Sequence, residues 1–174
     1  MSDQPNDGAD GSNSGDPGYR NARGRQRPDA RRTSDRARSA QAPSQRRRTG
    51  DPTRRIAWEV LRDVHENGAY ANLALPKALR HKRIDGRDAA FASELVYGTL
   101  RMRGFYDKVI EHAAGRGAAQ IDPAVLDTLR LGAHQLLAMR VPSHAAASET
   151  VALAREVNGA GAAGFTNAVL RRIS

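Results

Sequence analysis

The chain has 174 residues, no cysteine, 5% aromatic residues and a formal net charge of +9. Without cysteine it has no disulfide, no thiolate metal site and no cysteine nucleophile. No run of about 18 apolar residues reads as a membrane span, and no apolar stretch near the N-terminus reads as a secretory signal. A soluble, cytoplasmic protein is the expectation.

Residues 1–50 are built from Gly, Ser, Asp, Asn, Pro and Arg, with Tyr19 as their one aromatic. Such a composition buries too little apolar surface to offset the entropy of ordering, so this segment reads as a disordered tail. Its eleven arginines all lie in residues 19–50, where only two aspartates oppose them. A polyanionic partner is the natural reading of that charge; a solvated extension without a dedicated partner is the plainer one.

From Asp51 onward the pattern is helical, and the remaining residues, 51–174, are enough for a hydrophobic core. The first predicted helix opens with Asp51 as N-cap and Pro52 in its first turn. Its apolar face is Ile56, Val60 and Val64 with Ala57 and Leu61, and Gly68 stops it. A short helix follows over 72–82, with Pro76 expected in its first turn. Asp85 then caps a helix whose apolar positions are Phe91, Leu95, Thr99 and Met102, flanked by Ala92 and Val96, and Gly104 is expected to break or bend it. Phe105, Val109, Ile110 and Ala113 mark the next. Asp122-Pro123 repeats the opening motif before Leu126, Leu129, Ala133, Leu136 and Leu137, a face wide enough for a central helix. Pro142 and Ser143 precede the sixth helix and Asn158-Gly159 follow it. The last covers 163–174. No segment alternates with period two, so the fold class expected is all-α, a bundle of about seven helices.

Little in the chain reads as catalytic. The glycine-rich run 159–164 follows a helix rather than a strand, which fails the dinucleotide-binding context, and it reads as a linker. His65, His81 and His112 fall near helix ends, where an imidazolium favours the dipole. No histidine pair has metal-ligand spacing with a carboxylate. Ser143, His144 and Glu149 make a triad only on paper; a structural, capping role for Ser143 and His144 is the stronger reading. Asn167, inside the last apolar helix, reads as a buried structural amide.

Basic residues are the remaining signal. On the first helix Arg54, Arg55, Trp58 and Arg62 fall within an arc of about 100°, opposite the apolar stripe. A cationic face holding an indole suits RNA, because indole and guanidinium both stack on bases. Trp58 packed against a neighbouring helix, with merely solvated arginines, is the alternative. Further basic candidates are Arg80-His81-Lys82-Arg83, Arg101, Arg103, Arg171 and Arg172.

Three stretches together resemble a known family: "RDAAFASELVYGTLR" (87–101), "LRLGAHQLLAMRVPSHAAASETVALAREV" (129–157) and "GFTNAVLRRI" (164–173). They are similar to the NusB-like RNA-binding domain, most of all to the version at the N-terminus of the RsmB (Sun/Fmu) small-subunit rRNA cytosine-5 methyltransferases. The antitermination factor NusB shares a looser form of the pattern. It tends to have Tyr-Glu-Leu where this chain has "HQLLAMRVPSHAA", and Asn-Gly where this chain has Asn167-Ala168. Ala147 and Thr166 stand where the family often has valine, which shrinks or polarises a core contact.

The resemblance implies a NusB-like fold over residues 51–174 and an rRNA-recognition role. In that family "NAVLRRI" closes the RNA-binding domain, and a linker leads to a Rossmann-type domain that binds S-adenosylmethionine and carries the attacking cysteine. This chain has no cysteine and no strand–glycine loop–helix unit, so no methyltransferase activity and no cofactor are expected of it. Its expected partners are RNA, small-subunit rRNA in particular, and the catalytic domain in cis. A NusB-type antitermination factor acting on leader RNA with a ribosomal protein, and a protein-binding brace, are the two competing readings.

Overall fold

A computed structural model describes residues 50–174; the arginine-rich tail, with the disorder expected of it, lies outside the described residues except for Gly50. Seven α-helices follow in chain order: α1 (Pro52–Asn67), α2 (Ala71–Lys82), α3 (Gly86–Arg101), α4 (Arg103–Ala114), α5 (Pro123–Leu137), α6 (Ser143–Val157) and α7 (Ala160–Ile173). One 3-10 turn, Ala118–Gln120, joins α4 to α5, and no strand occurs among the described residues. The all-α bundle of seven helices is as the sequence indicates.

The two Asp-Pro openings act as local chemistry dictates. The Asp51 carboxylate accepts from the N–H of Thr53 at 3.0 Å, and that of Asp122 from Ala124 and Val125. Each satisfies donors that the helix itself leaves orphaned. Gly68 ends α1 in the left-handed region at φ 66°, where a Cβ would be unfavourable.

α5 is the centre of the bundle: every residue from Val125 to Gln135 is buried. On one side Leu131 joins Ile56, Val60, Leu61, Leu75, Leu95 and Val96, which ties α5 to α1, α2 and α3. On the other, Leu126, Leu129 and Ala133 pack with Tyr106, Ile110, Val169 and Leu170 of α4 and α7. Two close approaches make this possible. A Cβ on Gly98 would stand 2.2 Å from the His134 ring, and one on Gly132 would stand 2.7 Å from Leu170.

Several boundaries and faces differ from the sequence reading. α2 starts at Ala71, so Pro76 lies inside it, not in its first turn; the helix loses one internal hydrogen bond there. The chain turns at Met102, and Gly104 sits within α4. Tyr106 faces inward where Phe105 was expected to, and Met102, Phe105 and Leu137 are exposed. Residues 160–164 are the opening turns of α7 and not a linker. α6 begins at Ser143, whose neighbour Pro142 holds the cap position; neither Ser143 nor His144 caps the helix, and both are exposed. The helix starts one residue too early for Ser143 to hold the N-cap position, from which a hydroxyl accepts from the N–H groups two or three residues on.

Asn167 is also corrected. It is exposed, while its neighbour Thr166 is fully buried with an unpartnered hydroxyl. The inward stripe of α7 runs through Ala163, Thr166, Val169 and Leu170, and Asn167 falls one step outside it. Urea unfolding separates these cases. Asn167→Ala is expected within about 0.5 kcal/mol of wild type. Gly98→Ala, which drives a methyl into the His134 ring, is expected to cost about 1–3 kcal/mol.

Candidate nucleic-acid interface

The arginines of α1 do not form a solvent-facing surface. Arg54 is 9% exposed. Its Nε donates to Gln135 Oε1 at 2.7 Å, Nη1 donates to Asp51, and the guanidinium lies 4.9 Å above the Phe91 ring. Arg62 donates to Asp127 Oδ2 at 2.9 Å and to Glu66. Trp58 is half-buried and donates from Nε1 to the carbonyl of Ala124 at 3.1 Å. Arg55 alone is exposed, and Glu59 and Glu156 both pair with it. Of the two readings of Trp58, packing holds, and the cationic face of α1 is corrected. The helix packs on α2, α3 and α5, and Arg54, Trp58 and Arg62 all donate to α5, so all but Arg55 of the expected cationic face is taken up.

The groups that absorb these cations lie on α5. The buried Asp127 carboxylate accepts from Arg62, from Arg130 Nη1 at 2.8 Å and from His65 Nδ1 at 2.8 Å. Arg130 in turn grips Asp107 of α4 bidentately, at 2.6 and 2.9 Å. Burial alone would push the Asp127 carboxyl up, but its hydrogen bonds and charge contact with His65, then Arg62 and Arg130, outweigh that and hold it below the ordinary carboxylate range. Burial likewise opposes the charge on Arg130, and Asp107 and Asp127 reverse the effect and raise its pKa. Gln135 passes Arg54 on to α6: its amide donates to Leu131 O and to Thr150 Oγ1.

A second polar cluster sits beside Gly98. The Tyr106 hydroxyl and His134 Nδ1 are 2.8 Å apart, and His134 Nε2 is 3.6 Å from Glu94 Oε1. Burial lowers the His134 pKa against the pull of Glu94, so the ring is held neutral. Nε2 is buried, and at 3.6 Å from Glu94 it has no hydrogen-bond partner among the described residues.

None of these buried pairings was read from the sequence, which gives Arg54, Arg62 and His65 other roles, although a signal was present. Asp127, Arg130 and His134 recur at helical spacing within the most apolar helix of the chain. A polar stripe on a helix expected to be central marks groups that other helices must satisfy.

What remains for an anionic ligand is the outer surface. Lys82 and Arg83, with Arg80 and Arg87, are exposed around the α2–α3 turn, and among the described residues none of the four has an ion-pair partner. Arg83 adopts the left-handed conformation at φ 54°. Arg101 is exposed and unpaired in the same sense, and Arg103 stands 4.0 Å from Asp107. Arg171 is exposed at the end of α7, while Arg172 donates to the Ala113 carbonyl at 2.9 Å. A groove between α1 and α2 is lined by Glu59, Asp63, Lys77 and His81; its two carboxylates disfavour phosphate.

The seven-helix bundle and its buried polar spine define the class to which this chain is assigned. The family model for the NusB family matches residues 51–174, and the chain belongs to that family. A Mycobacterium tuberculosis protein provisionally named a methyltransferase is 55% identical over 129 residues, 74% of this chain and 28% of that protein. Ribosomal RNA small subunit methyltransferase B of Thermus thermophilus is 39% identical over 127 residues, 73% of this chain and 31% of its own length. Among solved structures, a chain from the complex of antitermination factors NusB and NusE with double-stranded RNA superposes with a TM-score of 0.64 at 24% identity, covering 74% of this chain and 96% of that one. The chain thus spans under a third of the length of the methyltransferases it matches.

Two outcomes are expected of the buried network. Asp127→Ala leaves two arginines facing an empty site and should cost about 3–5 kcal/mol in urea unfolding. His134 supplies a pH test. Its folded pKa lies below the ordinary value of about 6.5, so the unfolded chain binds the proton more readily. Its contribution to stability is complete above about pH 6.5 and is lost as pH falls through the folded value. His134→Gln should therefore flatten the decline in melting temperature between about pH 7.5 and 5.5. Profiles that stay parallel to wild type would contradict this.

Proposed function

We propose that this domain is an RNA-binding module, and specifically the rRNA-recognition part of a small-subunit rRNA cytosine-5 methyltransferase acting in the cytoplasm. The observation that carries the reading is its 39% identity, over nearly the whole described domain, to a small-subunit rRNA methyltransferase. The exposed unpaired cations at the α2–α3 turn fit it, because phosphate contacts supply most of the affinity of such modules. S-adenosylmethionine does not fit the described residues. No strand leads into a glycine-rich loop, and the run 159–164 is mostly helix. In this reading the cofactor and the methyl transfer belong to the remaining length of the methyltransferase, which partners the domain in cis.

In this assignment Lys82 and Arg83 replace Arg54 and Arg62 as the fixed phosphate contacts, and the arginine-rich tail adds sequence-independent charge. The test is titration of the chain with a small-subunit rRNA fragment across a salt series. Lys82→Ala with Arg83→Gly removes two charges, and glycine suits the left-handed position. The double variant should bind more weakly, and its salt slope should flatten by about 0.7 per lost phosphate contact on single strands. An unchanged slope removes the α2–α3 turn from the interface. Tighter binding of leader RNA than of the rRNA fragment would favour the antitermination role.

A further inference from the structure

At the α3–α4 corner exposed aromatic rings stand beside exposed cations. Tyr97 is 37% exposed, Met102 42% and Phe105 51%, so three large apolar side chains stand in water at one bend of the chain. Arg101 and Arg103 flank them, exposed, with only the 4.0 Å approach of Arg103 to Asp107 between them and free charge. The exposed apolar pair at the α1–α2 corner, Tyr70 and Leu73, has one aromatic ring and one exposed cation a turn on, Lys77, with Glu66, Asn67 and Asn72 beside it in sequence.

The corner is also stiff from beneath. Phe105 meets the Tyr106 ring edge-on, at 5.6 Å between centroids. Tyr106 is anchored to His134, and His134 presses on Gly98, the residue after Tyr97. Tyr97 and Arg101 lie one turn apart on the same stripe of α3. Rings held in place beside guanidinium groups are what single-stranded nucleic acid recognition uses: aromatic faces take unstacked bases, and arginines hold the phosphates. Three side chains are too few to form the roughly 800 Å² per partner of a stable protein interface, which favours the nucleic acid.

We propose that this corner is a base-stacking platform, in which Tyr97 and Phe105 receive unpaired bases of a single-stranded RNA segment while Arg101 and Arg103 hold its backbone. The inference rests on the RNA-binding reading above and adds the class of RNA and the residues that take its bases.

The experiment titrates the 174-residue chain with a short oligouridylate and with an RNA hairpin duplex of equal charge. The variants are Tyr97→Leu, Phe105→Leu and Arg101→Gln; the leucines keep apolar bulk and remove the ring. Each leucine variant should lose at least about fivefold in affinity for oligouridylate, the low end of one stacked base, with an unchanged salt slope and unchanged duplex binding. Arg101→Gln should weaken both RNAs and flatten the oligouridylate slope by about 0.7. Leucine variants that bind oligouridylate like wild type, or that lose both RNAs equally, overturn the platform while leaving the RNA-binding reading intact. A wild-type chain that binds neither RNA overturns that reading instead. Phe105→Trp gives a readout independent of the leucine variants: its added indole fluorescence should be quenched by oligouridylate and not by the duplex, and an unquenched indole counts against the platform.

Discussion

Burial of α5 on every side from Val125 to Gln135 is the constraint on which the rest of the structure depends. A helix with all sides covered gains the hydrophobic free energy of each face, but its polar side chains have no access to water. α5 carries Asp127, Thr128, Arg130, His134 and Gln135, all buried. Their partners come from around the bundle: Asp127 is met by α1, Arg130 by α4, His134 Nδ1 by Tyr106 of α4, Gln135 by α1 and α6, and Thr128 by Asn158 just after α6, while His134 Nε2 is left without a hydrogen bond. The surrounding helices are therefore held by directional contacts as well as by packing. A buried polar group left unmatched costs more than a lost contact, so these pairings set rotation and register.

This demand determines which cations are left for a ligand. Arg54 and Arg62 supply the charges and donors that α5 requires, and Trp58 gives its only donor to the start of α5. With these groups taken into the interior, the exposed cations lie elsewhere: at the α2–α3 turn, without ion-pair partners among the described residues, and at the α3–α4 corner, beside exposed rings. α3 joins the two regions. Its buried stripe, Ala92, Leu95, Val96 and Thr99, fixes it to the core, and its two ends carry the basic groups.

The chain spans under a third of the length of the methyltransferases it resembles. Its buried ionisable groups are paired with one another: the lowered pKa of Asp127 and the raised pKa of Arg130 describe mutual neutralisation. Such pairing perturbs pKa values for structural reasons, without a cleft or a substrate.

The sequence by itself determined the helices and the centre of the bundle. Asp51-Pro52 and Asp122-Pro123 place two N-termini because capping is a contact between residues two or three apart. The apolar period of 124–137 marks α5 as central because a wide hydrophobic face can be covered only from several sides. What only the tertiary structure decided is which polar side chains face water. Arg54 and Gln135 are 81 positions apart, and Arg62 and Asp127 65; no local pattern links them. A row of arginines opposite an apolar stripe has the same periodicity whether it meets solvent or the buried carboxylate of another helix. Asn167 and Thr166 differ by one helical step of about 100°, and only the position of α5 and its neighbours fixes which of the two is inside. Secondary structure was legible because its interactions are short-range, and the set of exposed, unpaired cations was not, because it is what remains after long-range pairing has used the other charges.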